Sequence, residues 1–329
     1  MNVKLVAVFA LALAVLFSLS MSSHAFAQTP KSTAANTIKV TPVRTDLEIL
    51  PGSSKTVEVT VTNLTTTSIS VAPYTNDFVA GDDRGTPALI LDSDQFAPSH
   101  SLKRFMGTLS TATIPAKQSK TFNVVITVPK SAQAGGYFGA VRFAPSDPDG
   151  GGQVNLSASV ASLILLTVPG DVVEKLRLNN FDIQQNGSNG TNFRTPDSLQ
   201  ASFSFENQGN LQIGPFGNIS VKKGDKVVFK SDFNNGDPRD VILPDSNRRW
   251  EIPFKDIEAF GHYDVVATFT YGTTNQTIEV TKSFWVIPTW VIIAAIGTVV
   301  GLLLLIALIV FLVIRSRKRR HMPRMNRRR

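Results

Sequence analysis

Between residues 28 and 288 apolar side chains recur at every second position, and this alternation limits the fold more than any other feature of the chain. Val57, Val59 and Val61 alternate with Thr56, Glu58, Thr60 and Thr62, while Phe122, Val124, Ile126 and Val128 oppose Asn123 and Thr127. The pattern returns at Phe203 and Phe205, at Ile219 and Val221, and at Trp250, Ile252 and Phe254. Its longest run is Tyr263, Val265, Ala267, Phe269 and Tyr271. Successive side chains of a strand point to opposite faces, so each run predicts an antiparallel strand with one buried and one wet face. No stretch of this region carries a 3.6-residue stripe. Pro51-Gly52 suits a type II turn, and polar segments at 145–153, 186–198 and 232–240 separate further runs, among them strands at 137–143 and 156–168. Many short strands between turns predict an all-β chain of two tandem Ig-like β-sandwich domains plus one C-terminal transmembrane helix. A division near Val168-Pro169-Gly170-Asp171 gives domains at 37–170 and 171–286, each large enough to bury a core without disulfides.

Two apolar segments stand outside this pattern. At the N-terminus Lys4 precedes an apolar run over 5–19, and Ala25-Phe26-Ala27 supplies a small-x-small cleavage site. Residues 1–27 therefore read as a signal peptide, with 28–36 a linker. Gln28 follows the cut and the chain has no cysteine, which excludes a lipoprotein. The second segment, 290–314, is a run of 25 residues with Thr298 its one clearly polar side chain. As a helix it spans about 37 Å, enough to cross a hydrocarbon core of about 30 Å with some tilt. Trp285 and Trp290 at one end and Arg315, Arg317 and Lys318 at the other are the expected membrane-interface anchors. A signal peptide followed by a stop-transfer helix predicts a single-pass plasma-membrane protein, N-terminus outside and C-terminus in the cytoplasm. No Leu-Pro-x-Thr-Gly wall-sorting motif precedes the helix.

Charge follows the same division. The tail, 315–329, holds nine Lys/Arg and no acid; without these and Lys4, 23 basic residues face 25 acidic ones. The sequence pI of 9.7 thus describes a tail suited to anionic lipid headgroups, and nucleic acid is not an expected partner of the folded part.

The groups an enzyme needs are sparse. Outside the signal and the tail only His100 and His262 remain, and no His-Glu-x-x-His, cysteine-based zinc spacing or phosphate-cradling glycine loop occurs. Asp92 with Asp94, or Asp147 with Asp149, lacks the rest of an EF-hand, so both pairs read as solvated loops. No enzyme, cofactor or metal is expected. Asn-x-Ser/Thr triplets at Asn63, Asn155, Asn186, Asn189, Asn218 and Asn275 are a weak signal in so Ser/Thr/Asn-rich a chain. Tyr74, Tyr137, Phe138 and Trp250 are the aromatic candidates for stacking on a glycan or anchoring a protein, against the commoner role of strand aromatics as core.

Leu50-Pro51-Gly52 with the strand ending Val61-Thr62-Asn63-Leu64, then Val128-Pro129-Lys130 and Gly136-Tyr137-Phe138-Gly139-Ala140, resembles the peptidoglycan-binding module of WxL-interacting surface proteins. Pilus-chaperone N-terminal domains share the strand–Asn and Pro…Gly-Tyr pattern. In the second half Phe205-Glu206-Asn207-Gln208-Gly209-Asn210 and Val241-Ile242-Leu243-Pro244 resemble the Ig-like domain that follows in such proteins. The chain has no Trp-x-Leu motif, so the resemblance makes it the receptor. It implies a membrane-anchored cell-surface scaffold or adhesion protein whose partners are cell-wall glycan or a surface protein. The alternative is a chaperone-like assembly factor that pairs an edge strand with another secreted chain. A surface hydrolase would require clustered carboxylates.

Overall fold

The computed structural model describes residues 37–146 and 159–320. The signal peptide 1–27, the linker 28–36, the Asp147/Asp149 pair, Asn155 and residues 321–329 of the tail lie outside them.

The alternating runs form strands, and their apolar positions face inward. The first sandwich comprises β1 (Ile38–Thr41), β2 (Arg44–Glu48), β3 (Ser54–Asn63), β4 (Ile69–Ala80), β5 (Pro87–Leu89), β6 (Ala112–Ile114), β7 (Ser119–Thr127), β8 (Gly135–Ser146) and β9 (Val160–Val168). One sheet has the order β1-β3-β7; the other runs β2-β9-β8-β4-β5, with β6 also paired to β4. Val57, Val59, Val61, Phe122, Val124 and Ile126 meet Val141, Phe143, Ile164 and Leu166 between the sheets. Removing such side chains from water contributes about 1.5–3 kcal/mol each.

The second sandwich is built from β10 (Leu176–Gln185), β11 (Ser188–Asn189), β12 (Asn192–Phe193), β13 (Leu199–Asn207), β14 (Phe216–Lys223), β15 (Lys226–Phe233), β16 (Ser246–Pro253), β17 (Gly261–Tyr271) and β18 (Gln276–Val286). Its sheets have the orders β11-β10-β13-β16 and β12-β18-β17-β14-β15. Phe181, Phe203, Phe205, Phe233, Phe269 and Tyr263 fill the space between them. The segment 186–198, expected as a plain loop, carries the short strands β11 and β12. It does so because β10 and β18 offer it unpaired edges.

Among the described strands, one pair in each sandwich is parallel. β2 runs parallel to β9 and β12 runs parallel to β18. β1 and β2 are two halves of one extended segment that leaves one sheet and joins the other across Pro42, closing the side of the sandwich.

Both sandwiches end a central strand with the same device. Asn63 is fully buried at the end of β3; its Nδ2 donates to the carbonyls of Thr67, Ile114 and Pro115, and its Oδ1 accepts the Thr65 N–H. Asn207 at the end of β13 donates to the Leu211 and Ile242 carbonyls and accepts the Gly209 N–H. One side chain thereby satisfies several loop groups that burial would otherwise penalise. The buried Asn63 amide is also withdrawn from any modification of the folded chain.

Helix α1 (Thr289–Arg320) follows β18 after two residues and contains the expected 290–314 run. It is long and apolar enough to cross a membrane, and none of its apolar stretch is covered by the sandwiches.

Candidate functional site

The site of interest lies where the two sandwiches meet. β9 reads Val-Ala-Ser-Leu-Ile-Leu-Leu-Thr-Val, without alternation, because both of its faces are covered. Ile164, Leu166 and Val168 point into the first core. On the other face Leu163 and Leu165, with Phe78, Phe138 and Ala140, pack against Val241 and Leu243 of the second sandwich. Polar contacts flank this apolar joint. Gly136 N–H donates to the Asn210 carbonyl, Asn210 Nδ2 to the Ala134 carbonyl, and Gln212 Nε2 to Thr167 Oγ1. At Gly135, φ is +144° and a side-chain Cβ would stand 2.7 Å from the Asn210 carbonyl oxygen, so glycine permits the approach.

A second bridge comes from the 81–86 hairpin. The Asp83 carbonyl accepts the Arg249 N–H at 2.5 Å, and its carboxylate pairs with the Arg249 guanidinium. The hairpin is organised by Asp82, whose Oδ1 accepts the Arg84 and Thr86 N–H groups at 2.9 Å. These bonds, the Thr86 N–H foremost, hold the Asp82 carboxyl below its ordinary value. A depressed folded value means the contribution is complete above the ordinary aspartate range and is lost as pH falls through it. Amide exchange at Arg84, Thr86 and Arg249 is therefore expected to accelerate, relative to an Asp82→Asn chain, below about pH 4. Equal pH profiles for the two chains would show that Asp82 does not organise the hairpin.

The joint borders an apolar cavity and a polar cleft. The cavity, of about 240 Å³, is lined by Val43, Phe78, Leu163, Leu165, Val241 and Leu243, with Arg248 at its wall. The Arg248 Nε is buried there without a hydrogen-bond partner. The cleft, of about 560 Å³, is bounded by Arg44 and Asp46 on β2 and by Asn235, Asp237 and Arg239 across it. Arg44 spans this cleft, pairing with Asp46 and donating to the Arg239 carbonyl at 2.8 Å.

Arg44 and Asp46 of β2 line the polar cleft. Leu163 N–H donates to the Val43 carbonyl, and Ile49 N–H to the Thr167 carbonyl. In a parallel ladder alternate residues serve one neighbour, so Val43, Thr45, Leu47 and Ile49 face β9. The peptide groups of Arg44, Asp46 and Glu48 point away, and no strand among the described residues pairs with them. Three other edges are guarded, while β10 over 176–182 and β18 over 276–283 have a strand on one side only among the described residues. β16 is capped at Arg249 by Asp83, and β7 is bridged by Met106 and Gly107. β15 carries Lys226 and Lys230, a common protection of edge strands.

The four aromatic candidates occupy four different settings. Tyr74 is 44% exposed on the outer face of β4, with the Arg142 guanidinium 4.5 Å over its ring. Tyr137 packs against Phe105 and donates its hydroxyl to the Gln133 carbonyl; burial raises its phenol above the ordinary value. Phe138, only 3% exposed, belongs to the joint. Trp250 is packed among Phe203, Phe205 and Phe233 in the second core. They do not form one exposed platform. The site residues that sequence reasoning missed are Arg44, Asp46, Asn210, Arg248 and Arg249. The continuous apolar run at 163–166 of β9 was the available signal, since a strand buried on both faces needs a second covering layer.

Of the membrane-anchor residues, Trp290 is exposed at the start of α1 and Trp285 packs on His262 at 4.7 Å; Arg315 is exposed near the other end, and Arg317 and Lys318 follow in the same helix. The Asp92/Asp94 loop has its carbonyls turned on a cation of the protein itself. Lys103 Nζ donates to the Ser93 and Gln95 carbonyls at 2.6 and 2.8 Å, and lies 4.7 Å over the Phe96 ring. Among the described residues no three His, Cys, Asp or Glu side chains are grouped to hold a metal.

No family model and no curated protein matches the chain. Solved structures similar to it include the class 5 fimbriae chaperone CfaA, at 14% identity and a TM-score of 0.38, covering 75% of this chain and 98% of that one. The E. coli chaperone DraB is similar at 17% identity and a TM-score of 0.31, covering 76% and 96%. The Pseudomonas aeruginosa CupB2 chaperone is similar at 9% identity and a TM-score of 0.31, covering 75% and 100%. At these values the similarities assign no function to this chain.

Proposed function

We propose that the chain is a membrane-anchored surface protein that binds an extended segment of another secreted or surface protein by adding it as a strand to β2. The peptide groups of Arg44, Asp46 and Glu48, which no described strand pairs, on a strand whose Arg44 and Asp46 line a cleft between two braced sandwiches, carry this reading. Main-chain bonds give such pairing its affinity, and neighbouring pockets give it selectivity. The apolar cavity beside Val43 is placed to take a side chain of the added strand. The anchor is α1, with Arg315 and the following cations on the cytoplasmic side and both sandwiches outside. A protein partner is favoured over cell-wall glycan because the four aromatic candidates share no exposed face.

The test is photo-crosslinking from position 46, an exposed residue, in the full chain on intact cells. Adducts with a secreted or surface protein are expected. Asp46→Pro removes an outward N–H while leaving the bonds from Thr45 and Leu47 to β9, and is expected to weaken capture at least about tenfold. Capture unchanged by Asp46→Pro would sink edge pairing. Saturable pelleting of the chain with purified wall sacculi, unaffected by that substitution, would return the function to glycan.

A further inference from the structure

We infer that the second sandwich rests on the bilayer crossed by α1, with the strand-end rim around Phe260 seated in the headgroup layer. This goes beyond partner binding and depends only on α1 spanning a membrane.

The connection leaves little freedom. β18 ends at Val286 and α1 begins at Thr289, so at about 3.5 Å per residue the helix starts within roughly 10 Å of the sheet. Both sides of that connection are tied. Ile287 N–H donates to the Phe193 carbonyl at 2.8 Å, and Val291 N–H to the Pro288 carbonyl at 3.0 Å. Pro288 has a fixed φ. The end of β18 therefore cannot swing far from the membrane surface.

The neighbouring strands end at the same level. Gly261 pairs with Val286, so Phe260 lies one residue past the sheet, beside the chain as it enters the helix. Phe260 is 49% exposed, and Trp285, facing outward one residue inside the sheet, is 43% exposed. With Trp290 at 68%, three large rings surround the strand-to-helix junction while most other rings of this sandwich are packed inside. Tryptophan favours the headgroup layer, and phenylalanine beside it adds apolar area at the acyl boundary.

Charge at this rim decides the kind of contact. Lys222, Lys223 and Lys226 at the β14–β15 turn are interleaved with Asp225, and Glu258 pairs with Lys223. Lys255 is followed by Asp256. With exposed Arg194 just past β12 the rim carries a small positive excess, which adds to a contact held chiefly by the aromatic rings and the tether. It fits zwitterionic headgroups as well as anionic ones, and salt screens only the smaller charge contribution.

The arrangement also sets a height. β17 has 11 residues, about 35 Å at 3.3 Å each, and the joint with the first sandwich lies at its far end, near Asn210. The cleft at β2 is thus presented roughly 35 Å above the membrane in a fixed orientation.

The chain has no cysteine, so single dye labels can be placed in the full-length protein reconstituted in phosphatidylcholine vesicles containing nitroxide lipid, labelled at the headgroup to read positions 259 and 274 and at mid-acyl chain to read position 299. Ala259→Cys marks the rim, Thr274→Cys the opposite turn, and Val299→Cys the helix. Quenching at 259 is expected to reach at least about half of that at 299, with none at 274. It should persist at about 0.5 M salt and on exchange to phosphatidylglycerol, and fall when Phe260→Ser is added. A label at 259 behaving like that at 274 overturns the inference. Quenching only with anionic lipid overturns its aromatic basis, and an unquenched 299 overturns the spanning helix with it.

Discussion

Phe203→Ala is expected to lower the stability of the second sandwich by about 3–5 kcal/mol, the cost of deleting a fully buried aromatic ring and leaving its cavity. The ring bridges both sheets. Its centroid lies 5.8 Å from Phe181 and 5.9 Å from Phe205 on its own side, and 4.9 Å from Phe269 and 5.2 Å from Phe233 on the other. The shell is made of rigid aromatic plates, so it can relax only partly into the space. Thermal unfolding of the full chain in detergent should show the transition of this sandwich fall by roughly 10–20 °C. Phe203→Leu, which keeps most of the volume, should fall much less. A loss below about 1 kcal/mol for the alanine chain would mean that the aromatic cluster closes over the gap and is not the keystone of this core.

Asn63→Ala is expected to weaken the first sandwich by about 2–3 kcal/mol, because it removes the buried amide on which three loop carbonyls converge. The Thr65 and Ser68 hydroxyls still reach the Thr67 and Ile114 carbonyls, which limits the loss. The size of the effect comes from weakened hydrogen bonding, since little apolar area is lost. Asn63→Asp makes the two explanations separable. The carboxylate keeps the Thr65 contact but sets a negative charge against three carbonyl oxygens, so its folded value is raised and the neutral form is favoured. Stability of the Asn63→Asp chain should therefore recover as pH falls, whereas that of Asn63→Ala should not. Denaturant unfolding at neutral and acidic pH checks both. Identical pH profiles for the two variants would rule out the carbonyl-capping role.

Much of the architecture was legible in the sequence because strand alternation is a local property. Tyr263, Val265, Ala267, Phe269 and Tyr271 are all buried as their spacing predicted, and α1 contains the apolar run from which it was expected. The site was less legible. Phe138 and Trp250 stood as candidate stacking or anchoring rings beside their commoner core role, because side-chain type does not tell which layer will cover a strand. Phe138 is hidden by Val241 and Leu243, which come from the other half of the chain. The Asp92/Asp94 loop likewise gave no sign that Lys103 would fill it.

Local hydrophobic pattern set the classes of element, the inward face of the alternating strands and the helix of membrane length at 290–314. Each depends on hydrophobic periodicity or on an uninterrupted apolar length, which neighbouring residues encode directly. Contacts between distant segments settled that β2 joins β9 in parallel, that no described strand pairs with its outer peptide groups, and that Asp83 caps β16. Backbone N–H and C=O groups are the same in nearly every residue. Which of them find partners is therefore settled by how distant segments are brought side by side.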